Sequence, residues 1–453
     1  LDDTIVAIAT PPGQGGVGII RLSGPCALTI AQAIFFPKQA SAPWTPAFML
    51  YGDVRQDNEV LDDGLAVYFQ NPHSFTGQDV VELQLHGSPY VLSKVVGLCQ
   101  THGARLAQPG EFTQRAFLLG KMDLLQAEAV SELIHAQSEE EARRSRMRLD
   151  GKLSDHVEQL RASVIDVLAQ LEADVDFPEE VLPIEQQTVT LQKIKTIEEK
   201  ALALLETYQA NAQVRDGVRI ALMGAPNVGK SSFFNQVLGQ DRAIVTDQAG
   251  TTRDVLREEV HRLGRRIHFI DTAGLRENTE DLIEKEGMTR ARHEVLQADK
   301  VCLLVSHGEP STPYMQELFE QVPVERRWII ATKADLTPMD EKAIKWPRER
   351  FFSVSNSTGK GFSEFWTALD DYLEAMPMQA WGGGISNDRQ KERLLQVVEA
   401  CKQAHRALSN QTSPDLVAFE CRQIYRAVSE MLGLEADFED VFDQIFSTFC
   451  IGK

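Results

Sequence analysis

The chain has 453 residues, 43% hydrophobic and 25% charged. That composition belongs to folded globular proteins and excludes wholesale disorder. At about 150 residues per domain the length suggests roughly three domains. Acidic residues outnumber basic ones 66 to 46, for a formal charge of −20 and a pI near 5.0. This excludes a protein that holds nucleic acid chiefly by neutralising phosphates, so any such contact must be local or shared with a more basic partner. Cys26, Cys99, Cys302, Cys401, Cys421 and Cys450 lie far apart, without CxxC or Cys/His spacing, which argues against a disulfide framework or a zinc site. The first apolar stretch is too short for a signal peptide, and no run of 18 apolar residues occurs; the expectation is a cytoplasmic protein without a membrane span.

Residues 1–118 read as short β-like runs (4–10, 18–22, 64–69 and 79–85) broken by Gly and Pro, with a helix over about 90–101. An α+β domain is expected. From 119 to 215 the pattern turns helical: Leu153, Val157, Leu160, Val164, Leu168 and Leu171 recur every three or four residues, Pro178 and Pro183 interrupt, and a second long helix covers 185–212. Residues 216–378 alternate apolar strands (218–223, 266–270, 300–306, 327–331, 350–354) with amphipathic helices, as in a mainly parallel sheet covered on both faces. Trp381-Gly382-Gly383-Gly384 reads as a flexible joint. Residues 379–453 are helical again, over 387–409, 414–432 and 438–449. The fold class that follows is multidomain: an N-terminal α+β domain, a helical bundle in two halves, and an inserted α/β P-loop domain of Ras-like type.

Gly224-Ala225-Pro226-Asn227-Val228-Gly229-Lys230-Ser231-Ser232 fits GxxxxGK[ST], follows an expected strand and opens an expected helix. Such a loop cradles phosphate oxygens with backbone N–H groups and the helix N-terminus, Lys230 reaches the β- and γ-phosphates, and Ser231 ligates Mg²⁺. Asp271-Thr272-Ala273-Gly274 ends another strand, placing a carboxylate near Mg²⁺ and the Gly274 amide near the γ-phosphate. Thr332-Lys333-Ala334-Asp335 ends a third; its carboxylate can accept from guanine N1–H and the exocyclic amine while the Lys333 stem packs on the base. A site built on those donors rejects adenine. Ser355-Asn356-Ser357 occupies the last base-contacting loop. The stretch Thr246-Asp247-Gln248-Ala249-Gly250-Thr251-Thr252-Arg253-Asp254 carries a switch-loop threonine, Thr252, for Mg²⁺. Order and spacing together specify a GTP-binding hydrolase of the translation-factor-like class.

Three positions depart from that pattern. Thr332 stands where Asn is usual, Asn356 where Ala is usual, and Leu275 where Ras-like enzymes place the glutamine that orients water. Another polar group must therefore orient water. Glu284 is the candidate, although it fits the solvated face of an acidic helix equally well; Arg276 ranks lower as an arginine finger.

The chain resembles, end to end, the MnmE (TrmE) family of bacterial tRNA-modification GTPases. The resemblance rests on Asp3-Thr4-Ile5-Val6-Ala7 with Thr10-Pro11-Pro12-Gly13-Gln14-Gly15-Gly16-Val17-Gly18, on Pro109-Gly110-Glu111-Phe112-Thr113 with Arg115-Ala116-Phe117, on Lys121-Met122-Asp123-Leu124 with Gln126-Ala127-Glu128-Ala129, on the P-loop and Gly250–Asp254, and on Cys450-Ile451-Gly452-Lys453. Leu119 departs from it where Asn is usual. The resemblance implies a folate one-carbon unit (5-formyl- or methylene-tetrahydrofolate) used to build aminomethyl-type groups at C5 of the tRNA wobble uridine. It implies a homodimer joined through the N-terminal domain, and a heterotetramer with the flavoprotein MnmG (GidA), which holds FAD. It implies folate contacts at Arg21, Glu82, Lys121 and Lys453, a functional Cys450, and potassium held by Asn227, Thr246, Gln248 and Thr251 in place of an arginine finger.

Taken on their own residues, the flanking sites carry less: Arg21 fits a surface strand residue and Lys121 a helix-start charge. Cys450 is a lone thiol near the end of the sequence, exposed enough to react. Gly13-x-Gly15-x-x-Gly18 fits GxGxxG, but prolines precede it and a strand pattern follows, so dinucleotide binding is rejected. Arg143–Arg148 reads as a solvated helix face, with a tRNA backbone contact as the alternative. A ribosome-assembly GTPase acting as an RNA-binding switch would carry a KH-type module or a basic tail, and the sequence has neither.

Overall fold

The computed structural model describes residues 1–39, 42–175, 184–225, 227–240, 257–271, 292–306, 313–336, 350–375, 383–410, 414–434, 445–446, 449 and 452. The N-terminal part contains β1 (Ile5–Ile8), β2 (Gly15–Ser23), α1 (Ala27–Ile34), β3 (Phe35–Pro37), β4 (Met49–Gln56), β5 (Glu59–Phe69), β6 (Val80–Gly87), α2 (Pro89–Thr101), β7 (Arg105–Leu106) and α3 (Glu111–Leu118). The strands form one sheet in the order β3-β4-β5-β6-β2-β1-β7. Its apolar face, with Ile20, Leu22, Val54, Leu83 and Leu85, packs on α1 and α2. In the sequence α1, β3 and β4 were not singled out; α1 covers this sheet face with Ile30, Ala31 and Ile34, and β3 and β4 extend the sheet at one end.

The helical part comprises α4 (Leu124–His135), α5 (Glu139–Leu149), α6 (Lys152–Val175) and α7 (Ile184–Asp216), then, far along the chain, α11 (Asp388–Ser409) and α12 (Pro414–Leu432). One core joins both stretches: Leu153, Val157, Leu160, Val164, Val167 and Leu171 of α6 meet Leu394, Val397, Cys401, Val417, Ile424 and Val428. The spacing along α6 is four and three residues in turn, the seam of antiparallel helix packing. Val167, rather than the expected Leu168, faces the centre, and Leu168 is only partly buried.

Between these stretches, β8 (Val218–Gly224), α8 (Lys230–Gln240), β9 (Arg257–Arg262), β10 (Arg265–Asp271), β11 (Lys300–Ser306), α9 (Pro313–Gln321), β12 (Arg327–Thr332), β13 (Phe351–Ser353) and α10 (Phe362–Glu374) build a second sheet, ordered β13-β12-β11-β8-β10-β9. All neighbours are parallel except edge strand β9, which pairs antiparallel with β10. Along β8, Ile220 and Leu222 enter a core with Phe233, Phe362 and Phe365, while Ala221 and Met223 enter another with Leu318 and Phe319. Burial on both faces explains why β8 reads as an unbroken apolar run.

Polar contacts tie the parts together. The Gly264 carbonyl in the β9–β10 turn accepts from the Glu140 N–H in the first turn of α5, at 3.1 Å. Arg266 is buried and donates to Gln137 Oε1 and to the Arg215 carbonyl. Across the helical halves, Glu128 of α4 accepts from Arg389 at 2.7 Å and from Gln390 at 2.6 Å.

Gly383 and Gly384 correct the expectation of a loose joint. The Gly383 carbonyl accepts from Arg148 Nη1 and from Asn211 Nδ2, both at 2.8 Å, and the Ile385 carbonyl accepts from Asn211 Nδ2 at 2.7 Å. Their φ values are +91° and +62°, and a Cβ on Gly384 would lie 2.5 Å from Thr207 Cβ. These glycines serve close packing in a left-handed backbone rather than freedom. Residues 381–382 and most of the expected helix over 438–449 lie outside the described residues.

Asn211 also accepts from Arg144 Nη1, at 2.5 Å. Asn211→Ala would strand the Ile385 carbonyl and part of a buried guanidinium, and would leave the Gly383 carbonyl with Arg148 alone. It is expected to destabilise the helical part by about 2 kcal/mol, read as an earlier thermal transition; an unchanged melting profile would contradict this account of the joint.

Candidate functional site

At the carboxyl end of β8 the chain turns through the P-loop into α8. Gly224 has no room for a side chain: a Cβ there would lie 2.8 Å from Val228 Cγ1 and 2.9 Å from the Leu304 carbonyl. Asn227 and Gly229 adopt φ of +63° and +96°. Val228 is buried in the core below, whereas Asn227, Ser231 and Ser232 are exposed at the loop's outer side. The Phe233 N–H donates to the Gly229 carbonyl at 2.8 Å, fixing the first turn of α8. The result is a backbone cradle at a helix N-terminus, a shape and polarity suited to phosphate.

Lys230 lies in the middle of the cradle. Its Nζ donates to the Gly224 carbonyl at 2.9 Å and stands 3.9 Å from Asp271 Oδ1. Burial pulls its ammonium below the ordinary value, opposed by the Asp271 charge. Asp271 closes β10, directly beside β8 in the sheet, so the pairing of these strands sets the carboxylate against the loop. A hydroxyl from Ser231 and a carboxylate from Asp271 are hard oxygen donors that fit a magnesium ion.

β12 and β13 bring the remaining loops alongside. Thr332 is fully buried; its hydroxyl donates to the Val228 carbonyl at 2.5 Å and lies 3.3 Å from the Val305 carbonyl. Lys333 follows with φ of +59°. Asp335 accepts from Ser355 Oγ at 2.7 Å and from Ser357 Oγ at 2.9 Å. The Ser355 bond leads the causes that hold the Asp335 carboxyl below its usual range. Asn356 Nδ2 donates to the Gly229 carbonyl at 3.4 Å. The structure therefore gathers Asn227, Val228, Gly229, Lys230, Ser231, Ser232, Asp271, Thr332, Lys333, Asp335, Ser355, Asn356 and Ser357 at one edge of the sheet. Thr246, Asp247, Gln248, Ala249, Gly250, Thr251, Thr252, Thr272, Ala273, Gly274, Arg276 and Glu284 lie outside the described residues.

A second cluster forms on the N-terminal sheet. Arg21 of β2 and Glu82 of β6 are register partners, with Nε to Oε1 at 2.8 Å. The Arg21 guanidinium lies 5.7 Å from the ring centres of Phe75 and Phe112 and donates to the Gly452 carbonyl at 3.2 Å. Lys121 Nζ donates to the Pro72 carbonyl at 3.0 Å, and its stem lies 3.2 Å from the place of a Cβ on Gly77. Phe446 and Phe449 pack with Leu124, Ala127 and Val130. Cys450 and Lys453 lie outside the described residues.

The sequence did not expose the serine clamp on Asp335, the phosphate-loop contacts of Thr332 and Asn356, or the docking of Arg266. Each joins residues far apart in the chain, and only the second carried a signal, as a departure from a motif.

Known proteins resemble the chain along its whole length. Residues 124–450 match the family model for the MnmE helical domain, and residues 4–121 match that for the GTP-binding protein TrmE N-terminus. The tRNA modification GTPase MnmE of Aquifex aeolicus (strain VF5) is 38% identical over 454 residues, covering 100% of both chains. That of Proteus mirabilis (strain HI4320) is 39% identical over 462 residues, covering 100% of this chain and 99% of the relative. Among solved structures, the G domain of the T. maritima FeoB iron transporter is similar at 25% identity and a TM-score of 0.26, over 34% of this chain and 98% of that one. The chain therefore belongs to the MnmE family of tRNA modification GTPases, and it is a GTP hydrolase.

Proposed function

We propose that this GTPase is stimulated by potassium and, with a flavoprotein partner, uses a folate one-carbon unit to form aminomethyl-type groups at C5 of the tRNA wobble uridine. The observation that carries the finer part of this reading is the meeting of the chain's two ends. Gly452 rests on the N-terminal sheet, where a Cβ would lie 2.5 Å from the Ile8 carbonyl, and its own carbonyl accepts from Arg21. Gly452, two residues after Cys450 in sequence, is thus seated beside the Arg21–Glu82 pair that the family resemblance assigns to folate, while Phe449 packs on α4.

Arg21 supplies a planar donor fork for a folate carboxylate or carbonyl, and the partly exposed Phe75 supplies an apolar face for its rings. Lys121 and Lys453 add positive charge toward the glutamate tail. In the nucleotide site, Lys230 neutralises the β- and γ-phosphates, Ser231 and Thr252 hold magnesium, and Asp335 accepts from guanine. A bound magnesium ion supplies charge neutralisation to the phosphates. Asn227, exposed at the crest of the P-loop, with Thr246, Gln248 and Thr251, holds potassium in the position of an arginine finger. Glu284 orients water in place of the glutamine missing at Leu275.

The β9–β10 hairpin is the route by which the nucleotide site reaches the helical part. In sequence the expected switch residues precede β9 and follow β10, and the turn between the strands rests on α5. Homodimerisation is supported by an apolar stripe across the β3–β4–β5 end of the sheet, where Phe36, Met49, Tyr51 and Val60 are exposed. Among the described residues no helix is long and apolar enough to cross a membrane.

GTP hydrolysis should be faster in potassium than in sodium at equal ionic strength, and Asn227→Ala should remove the difference; equal rates for the unsubstituted protein in both salts would overturn the cation mechanism. Arg21→Gln should weaken binding of 5-formyl-tetrahydrofolate by about tenfold or more, as expected for loss of a charged hydrogen bond, with GTP hydrolysis unchanged. Undiminished folate binding in equilibrium dialysis would count against the N-terminal site.

A further inference from the structure

The two departures in the base-reading loops meet at the phosphate loop. Thr332 and Asn356 hold two successive carbonyls there, Val228 O and Gly229 O. Thr332 has one hydroxyl proton, directed at Val228, and so has nothing left to donate to a nucleotide. Asn356 has capacity to spare: an amide carries two N–H donors and two acceptor lone pairs. One N–H is engaged, at 3.4 Å, and Oδ1 is shielded from solvent without a partner among the described residues. Of this surplus the second N–H is what an acceptor on a ligand can use, whereas Oδ1 would need a donor.

The position of the amide identifies which part of the ligand it meets. On one side Ser355 and Ser357, its chain neighbours, hold Asp335. On the other is Gly229, next to Lys230. A purine nucleotide in the anti conformation carries its 5′-phosphates on the same side as N7. With its Watson–Crick edge at Asp335 and its phosphates at the P-loop, its N7 edge faces the stretch between them, where the Asn356 amide stands. N7 is an acceptor only, and its partner must be a donor.

We propose that Asn356 supplies the amide that Thr332 lacks: one N–H braces the phosphate loop at Gly229, and the other donates to N7 of guanine. The proposal rests on the reading of Asp335 as the guanine carboxylate.

Equilibrium binding of GDP, 7-deaza-GDP and XDP to the full chain tests it. The unsubstituted protein should bind 7-deaza-GDP about tenfold more weakly than GDP, the size of one hydrogen bond. Asn356→Ala should bind GDP about tenfold more weakly and no longer distinguish the two. Thr332→Asn combined with Asn356→Ala, which moves the amide to β12, should restore the distinction, an effect that a merely structural role would not produce. Equal binding of GDP and 7-deaza-GDP by the unsubstituted protein, a distinction retained in Asn356→Ala, or failure of the combined variant to restore it would each overturn the proposal. The first comparison needs no variant, and Asn356→Leu, near in size and without a donor, replaces Asn356→Ala if the latter does not fold. Asp335→Asn separates the two readings: if it fails to shift preference from GDP to XDP, the guanine site itself is misassigned. If it shifts preference while 7-deaza-GDP binds like GDP, only the role of Asn356 falls.

Discussion

One strand, β10, carries the constraint on which the rest of the molecule depends. At its far end Asp271 stands beside Lys230, and near its start Arg266 is buried among Gln137, Glu141 and the Arg215 carbonyl. A buried guanidinium is tolerated only where polar partners surround it, and here they come from α7 and from the start of α5. β10 is paired along its length with β8 on one side and β9 on the other. Five residues of paired strand span about 17 Å and hardly stretch. A displacement of Asp271 would therefore reach α5 as a displacement of Arg266 and of the Gly264 turn. From α5 the chain of contacts continues through Arg148 to Gly383 and through Glu132 to Ser386 in the second helical half.

The phosphate loop is held from several sides by the same logic of satisfied backbone groups. Lys230 takes the Gly224 carbonyl, Thr332 the Val228 carbonyl, and Asn356 with the Phe233 N–H the Gly229 carbonyl. A loop that must leave its N–H groups free for an anion keeps its shape through its carbonyls. The exchange of Asn for Thr at 332 keeps that brace, because a hydroxyl reaches the Val228 carbonyl as well as an amide would. The serine clamp on Asp335 favours the ionised carboxylate, the form that the proposed guanine contact requires.

The nucleotide-site framework was the most legible part of the chain. Fully buried parallel strands read as apolar runs, and the P-loop, Asp271 and Asp335 follow them at fixed spacing because each loop leaves a strand at the same sheet edge. The seam of α6 was legible for the same reason of period, with one residue, Leu168, misplaced by a single position. The glycines at 383 and 384 misled, since a glycine chosen for left-handed backbone and close approach looks in sequence like one chosen for flexibility. The edge strand β9, with charged residues in Arg257-Glu258-Glu259, lacked an apolar run because an edge strand is not covered on both faces. The seat of Gly452 on Arg21 had no local signal at all, because it joins positions 431 residues apart.

The most direct test of the coupling is Arg266→Ala, with GTP hydrolysis and tRNA modification measured on the same preparation in the presence of the proposed flavoprotein partner. The account predicts that hydrolysis stays within about twofold of the unsubstituted enzyme while modification falls by about tenfold, within the usual range of coupling between sites. Modification that keeps pace with hydrolysis in a folded Arg266→Ala protein would contradict it, and β10 would then be only a strand of the sheet.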